Sequence, residues 1–168
     1  KNKYETNQFK ALVFNKTYFS RNLFNKYNSM MKNLDHVPSE FLLGENKMFK
    51  SSELMNIMEK PMIIVYHNDK TLEDYLNEIK EFVDTNKNNN INYKRNHSRI
   101  LSNCRNALKK LHTLGFCYTK LNVSHFSGNY NLSVIYLQKY EQMFLCDDKK
   151  HKKQNMDDLK KIFSFYKL

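Results

Sequence analysis

An α+β fold is predicted for this sequence, and three stretches carry the prediction. Residues 61–66 (PMIIVY) are a continuous apolar run of strand length, the pattern of a buried strand. Residues 71–83 place Leu72, Tyr75, Leu76, Ile79, Phe82 and Val83 on one helical face. Residues 100–126 (ILSNCRNALKKLHTLGFCYTKLNVSHF) begin as a helix with Ile100, Leu101, Cys104, Leu108 and Leu111 inward. They then run into a short apolar strand and a polar loop, with Gly115 ending the helix.

The remaining elements follow in order. Residues 9–19 (FKALVFNKTYF) are rich in aromatic and β-branched side chains and read as a strand or hairpin arm. A helix comes next, with Leu23, Phe24, Tyr27, Met30, Met31 and Leu34 on one face and Ser20 as its cap. Pro38 disfavours helix just before it and sends the chain on extended. Residues 41–49 read as a strand and a turn around Gly44, and residues 51–58 as a short amphipathic piece. Thr71 caps the 71–83 helix, with Glu73 and Asp74 in its first turn where they suit the dipole. Residues 84–97 are an Asn/Lys-rich low-complexity segment, read as an inserted, mobile loop. Residues 131–145 alternate well enough for two strands or one bent strand. A charged loop is expected over 146–155, then a helix over 157–168 capped by Asp157 or Asp158, with Leu159, Ile162, Phe163 and Tyr166 inward.

Composition bounds the function. A chain of 168 residues that is 40% hydrophobic and 14% aromatic can build a core, which excludes full disorder. Its start at Lys1 and its end in the apolar run FSFYKL suggest a fragment or a processed product. The net charge of +11 would admit nucleic acid, anionic lipid or an acidic protein as partner. Yet Lys and Asn are scattered without a stripe, as coding bias in an AT-rich genome produces, so nucleic acid ranks last. Cys104, Cys117 and Cys146 have no metal or redox spacing and read as buried free thiols. That favours a cytoplasmic compartment, with a secretory organelle or secretion as the alternative. No apolar run reaches membrane-span length.

Four stretches resemble a known family in the family's own order. They are Leu34-Asp35-His36-Val37-Pro38 after a helix, PMIIVYHND leading to TLEDYL, ALKKLHTLGF, and MDDLKKIF. Together they are similar to the protein kinase fold from its third strand to the central helix of its large lobe. The resemblance implies a two-lobe fold: a partial, mixed β/α small lobe over 1–66, without a glycine loop, and a partial, mostly helical, apparently truncated large lobe over 67–168. The helix that ends in LHTLGF resembles the one leading into the kinase catalytic loop, where HRD-L-K-x-x-N follows.

The family's chemistry is positioning and charge neutralisation, so it needs particular charges at particular places. The catalytic base, an aspartate, falls on Lys120, whose ammonium has donors and no acceptor. The magnesium-holding asparagine falls on His125, although Mg²⁺ prefers oxygen ligands. The D-F-G aspartate falls on or near Gln138, within Leu137-Gln138-Lys139, and no Asp or Glu occurs from Leu121 to Tyr140. The helix glutamate falls on Tyr27, and its lysine partner is Lys10 or Lys16. A retained nucleotide cleft would be lined by Lys10, Lys16, Tyr66 and His67, with ATP held without magnesium and no metal site.

The resemblance is therefore to a pseudokinase, and the strand running on without D-F-G resembles the degenerate, rhoptry-type kinase-like proteins of parasite secretory organelles. It implies a scaffold or allosteric regulator with a protein partner. The alternatives are an atypical kinase in which Asp147 or Asp148 supplies the metal carboxylate, and a basic nucleic-acid-binding module. Tyr118 and His125 read as packed residues holding the loop, His36 as structural and His112 as a hydrogen-bonding anchor. Residues 149–153 (KKHKK) read as part of a solvated loop.

Overall fold

A computed structural model describes residues 9–13, 25, 29–30, 33–34, 48–50, 59–66, 68–85, 90–139 and 142–165. The chain divides into two units, Lys1–His67 and Asn68–Leu168, both mixing helix and strand. No helix among the described residues is long and apolar enough to cross a membrane.

In the first unit the predicted apolar run forms β3 (Glu59–Tyr66), flanked by β1 (Phe9–Val13) and β2 (Met48–Lys50) in the antiparallel order β1-β3-β2. β1 pairs with Met62–Tyr66 and β2 with Glu59–Pro61. Pro61, which has no N–H to give, thus sits where the pairing changes sides. Met30 and Leu34 are buried, and the Leu34 N–H donates to the Met30 carbonyl at 2.9 Å, a turn of the helix expected there. The expectations for residues 14–24, 35–47 and 51–58 lie outside the described residues.

The second unit opens with β4 (Lys70–Thr71) and α1 (Leu72–Thr85). Thr71 caps α1 as expected, its Oγ1 accepting from the Asp74 N–H at 3.1 Å. Leu72, Tyr75, Leu76 and Ile79 are buried, so the predicted face is the packed one. α2 (Asn90–Thr113) follows, burying Ile100, Cys104, Leu108 and Leu111. It stops at Gly115, whose φ of +85° is a left-handed conformation that glycine adopts without strain.

Three short strands, a 3₁₀ turn and a last pair of elements complete the unit. β5 (Phe116–Tyr118) pairs with β8 (Met143–Leu145). β6 (Phe126–Gly128) lies between β4 and β7 (Ile135–Leu137), all antiparallel. α3 (Lys149–Phe165) closes the described chain, with Leu159 and Phe163 buried. Of the two alternatives left open over 131–145, two strands or one bent strand, the first is found, and the two strands belong to different sheets.

Two expectations are corrected. The segment read as a mobile loop over 84–97 is helical at both ends: α1 runs to Thr85 and α2 begins at Asn90. Asparagine is a poor helix former, but the buried stripe of α2 reaches back through Ile100 to His97, whose ring packs on Phe163 at 5.1 Å. Tertiary packing overrides the local composition.

The charged loop expected over 146–155 is also mostly helix, because Asp148 caps α3 instead of Asp157 or Asp158. Its Oδ1 accepts from the Lys150 N–H at 2.8 Å, and its Oδ2 meets His151 Nδ1 at the same distance. The KKHKK run is thereby the first turn of a helix. A basic first turn opposes the helix dipole, and the carboxylate of Asp148 offsets it.

Candidate functional site

The residues singled out by the kinase resemblance in the second unit lie around the loop from β5 to β6. Tyr118 ends β5 fully buried, and its hydroxyl donates to the Gln138 carbonyl at 2.6 Å. The Gln138 N–H in turn donates to the His125 carbonyl at 2.8 Å. The rings of Tyr118 and His125 stack at 4.1 Å. Three positions within about twenty residues of sequence are thus drawn into one knot, and Tyr118 and His125 are packed as expected.

His125 is completely buried, and both its ring nitrogens are used. Nδ1 accepts from the Asn122 N–H at 3.0 Å, which leaves the proton on Nε2 to be donated to Gln142 Oε1 at 2.6 Å. The Asn122 side chain answers by accepting from the Ser124 N–H at 3.0 Å and from the Ser124 hydroxyl, closing a reciprocal cap on the 3₁₀ turn Val123–His125. A metal at this imidazole would have to break one of these bonds. Chemically the ring is a brace.

Lys120 does not join the knot; it is exposed on the loop. Gln138 is half-buried, and its side-chain amide Nε2 donates to the Tyr136 carbonyl at 3.4 Å. Lys139 follows with a φ of +55°. Asp147 and Asp148 are exposed at the start of α3, where Asp148 is committed to capping. Lys10 lies opposite Val65, and Tyr66 opposite Phe9, in the first-unit sheet. Lys16, Tyr27, His36 and His67 lie outside the described residues.

The residue that sequence reasoning missed is Asn155. It is 1% exposed on α3 and clamps Tyr118 from both sides. Its Oδ1 accepts from the Tyr118 N–H at 2.9 Å and its Nδ2 donates to the Tyr118 carbonyl at 2.8 Å. The same Oδ1 accepts from His112 Nε2 at 3.2 Å, so His112 is the anchor expected of it. The signal was present: Asn155, Leu159 and Phe163 are spaced four apart, one face of one helix. Reading 146–155 as a loop hid it. Gln142 had no such signal.

Burial makes the thiols poor reagents and couples two imidazoles to stability. Burial pushes the Cys104 and Cys117 thiols up, Cys117 to about 12, so neither supplies a thiolate at neutral pH. Burial also holds His97 and His112 below the usual 6.5, and Lys152 adds to this at His112. Between the folded value and 6.5 the unfolded chain binds more protons, so stability falls with acidification. Urea midpoints should be lower at pH 5 than at pH 7.5, a window above the carboxylate range; equal midpoints would contradict the burial of these two imidazoles.

No family model and no curated protein matches the chain. Among solved structures it is similar to a crystal structure of a Toxoplasma gondii specific rhoptry antigen kinase domain, at 14% identity and a TM-score of 0.42, over 82% of this chain and 43% of that one. It is also similar to a rhoptry kinase from Toxoplasma gondii, at 14% identity and a TM-score of 0.41, over 84% of this chain and 40% of that one. These structural neighbours are rhoptry kinase domains. The chain spans less than half the length of either.

Proposed function

We propose that this chain is part of a protein kinase-like domain that has given up phosphotransfer and acts as a protein-binding scaffold or allosteric regulator. The observation that supports this most is the use made of His125. At the position that the resemblance assigns to a metal ligand, both ring nitrogens are spent on the fold, one on a backbone N–H and one on Gln142. Around it, the position of the base is an exposed lysine and the position of the second metal ligand is an amide bonded to its own strand. With no carboxylate from Leu121 to Tyr140, nothing in this stretch can accept a hydroxyl proton or anchor magnesium by charge.

The test is phosphotransfer from labelled ATP with Mg²⁺ to the protein itself and to generic protein substrates, for the wild type and for Lys120→Asp. The expected result is none in either, because a restored base still lacks both metal ligands. Turnover by the wild type would mean a rearranged site, with Asp147 as the first carboxylate to replace.

A further inference from the structure

The second unit holds a cleft of about 420 Å³, away from the loop described above. Ile79 and Phe82 of α1 form one wall, Asn96 and Arg99 of α2 another, and Tyr130 and Leu132 of the β6–β7 turn the third. Three features of it are unexplained by the fold.

The first is charge. Arg99 donates through Nε and one terminal nitrogen to Asn96 Oδ1, at 3.1 and 2.7 Å, and that same nitrogen donates to the Asn131 carbonyl at 2.9 Å. Every acceptor it has here is a neutral amide oxygen; among the described residues no carboxylate pairs with it. Glu78, also on the cleft, is taken by Lys70 at 2.6 Å.

The second is an orphaned donor. Tyr75 lines the cleft and is 6% exposed, and its hydroxyl is shut from water with no hydrogen-bond partner. A buried hydroxyl without a partner is costly. Burial raises its pKa to about 12 against the lowering influence of Arg99 and of the Asn96 side-chain amide, so it remains an O–H donor. The Asn96 amide nitrogen can only donate toward this oxygen, and the Asn96 oxygen is given to Arg99, so what the Tyr75 O–H lacks is an acceptor.

The third is apolar display. Tyr130 is 51% exposed and Val134 43%, two of the three large hydrophobic residues that are exposed among the described ones, and both lie on this turn. The turn is held firmly. Asn129 Oδ1 accepts from the Val134 N–H, Asn131 Oδ1 from the Ser133 N–H, and the Asn103 side chain donates to the Leu132 carbonyl at 3.0 Å. Presenting apolar groups on a rigid turn lowers the ordering cost of binding.

We propose that this cleft docks an extended acidic-apolar peptide segment of a partner protein, its carboxylate at Arg99 and its apolar side chain between Ile79, Phe82 and Leu132, with Tyr130 and Val134 covered by the flanking residues. A carboxylate supplies the acceptor that both the guanidinium and the corner beside Tyr75 lack. Val134 extends the apolar surface beyond the cleft, which an extended chain covers and a small acid does not. The inference rests on the scaffold reading for the existence of a partner.

The test is selection of phage-displayed random twelve-residue peptides on the intact chain, with Arg99→Gln and Tyr130→Ala as parallel targets. Tyr130→Ala removes a half-exposed ring and is expected to melt within a few degrees of the wild type. The expected result is enrichment of peptides combining Asp or Glu with Leu, Ile or Phe, with at least tenfold weaker binding to both variants. No enrichment, enrichment of basic peptides, or binding indifferent to both substitutions would overturn it. Phosphotransfer is read separately, so an active enzyme would defeat the scaffold reading without touching the peptide result, and an empty selection would defeat the groove while leaving the chain without phosphotransfer.

Discussion

Replacing Asn155 by alanine lowers the stability of the fold by about 3–5 kcal/mol, since each buried polar group left unpaired costs about 1–3 kcal/mol. Three groups lose their partner at once: the N–H and the carbonyl of Tyr118, and Nε2 of His112. Both residues that carry these groups are buried, Tyr118 fully and His112 to 7% exposure. The loss is also structural, because Tyr118 carries the stack on His125 and the bond to Gln138. A urea titration of Asn155→Ala checks this through its midpoint. A change below about 1 kcal/mol, the worth of a single ordinary hydrogen bond, would mean that Asn155 is not the clamp described.

Gly128→Ala is the second large effect, about 2–3 kcal/mol as expected when a packed site is overfilled. A Cβ at this position would stand 2.1 Å from the Val134 carbonyl oxygen and 3.1 Å from a Leu132 methyl. The first neighbour is backbone, so the β6–β7 hairpin has to move. Yet its register is fixed by Gly128 pairing with Ile135 and Lys70, and by the Asp69 N–H donating to the Gly128 carbonyl at 2.9 Å. Gly115→Ala provides the contrast. Its Cβ meets nothing within 4 Å, and the φ of +85° alone opposes it; a left-handed alanine costs about 1 kcal/mol. Thermal melts of the two variants should therefore separate, with Gly128→Ala the lower. Equal melting temperatures would contradict the close approach at Val134.

Much of the second unit was legible because its periodicity is strong. The α1 face, the Thr71 cap, the buried stripe from Ile100 to Leu111 and the stop at Gly115 all follow from spacing and from the chemistry of single residues. What failed did so where composition was read in place of periodicity. The Asn-rich run before Ile100 and the Lys-rich run before Leu159 both read as loops, yet each is the exposed or polar end of a helix whose inner face packs far from it in sequence. His97 against Phe163 and Asn155 against Tyr118 are contacts of that kind, and no local pattern announces them. For the candidate site, the positions taken from the resemblance were Lys120, His125 and Gln138, of which Lys120 stands apart from the knot; the partners that occupy His125 and hold Tyr118 were not legible. Those partners, Gln142, Asn122 and Asn155, are neutral amides, residues with no chemical signature of their own.

On the reading proposed above, the two positions at which a kinase holds its metal are His125, spent on the fold, and the amide Gln138, so magnesium has nothing to hold it. A thermal-shift titration with ATP, with and without Mg²⁺, tests this most directly, because a ligand at 100 times its dissociation constant adds about 2.7 kcal/mol of stability. The expected response is the same in both series: either no shift, or a shift that magnesium does not enlarge. A shift that requires magnesium would contradict it.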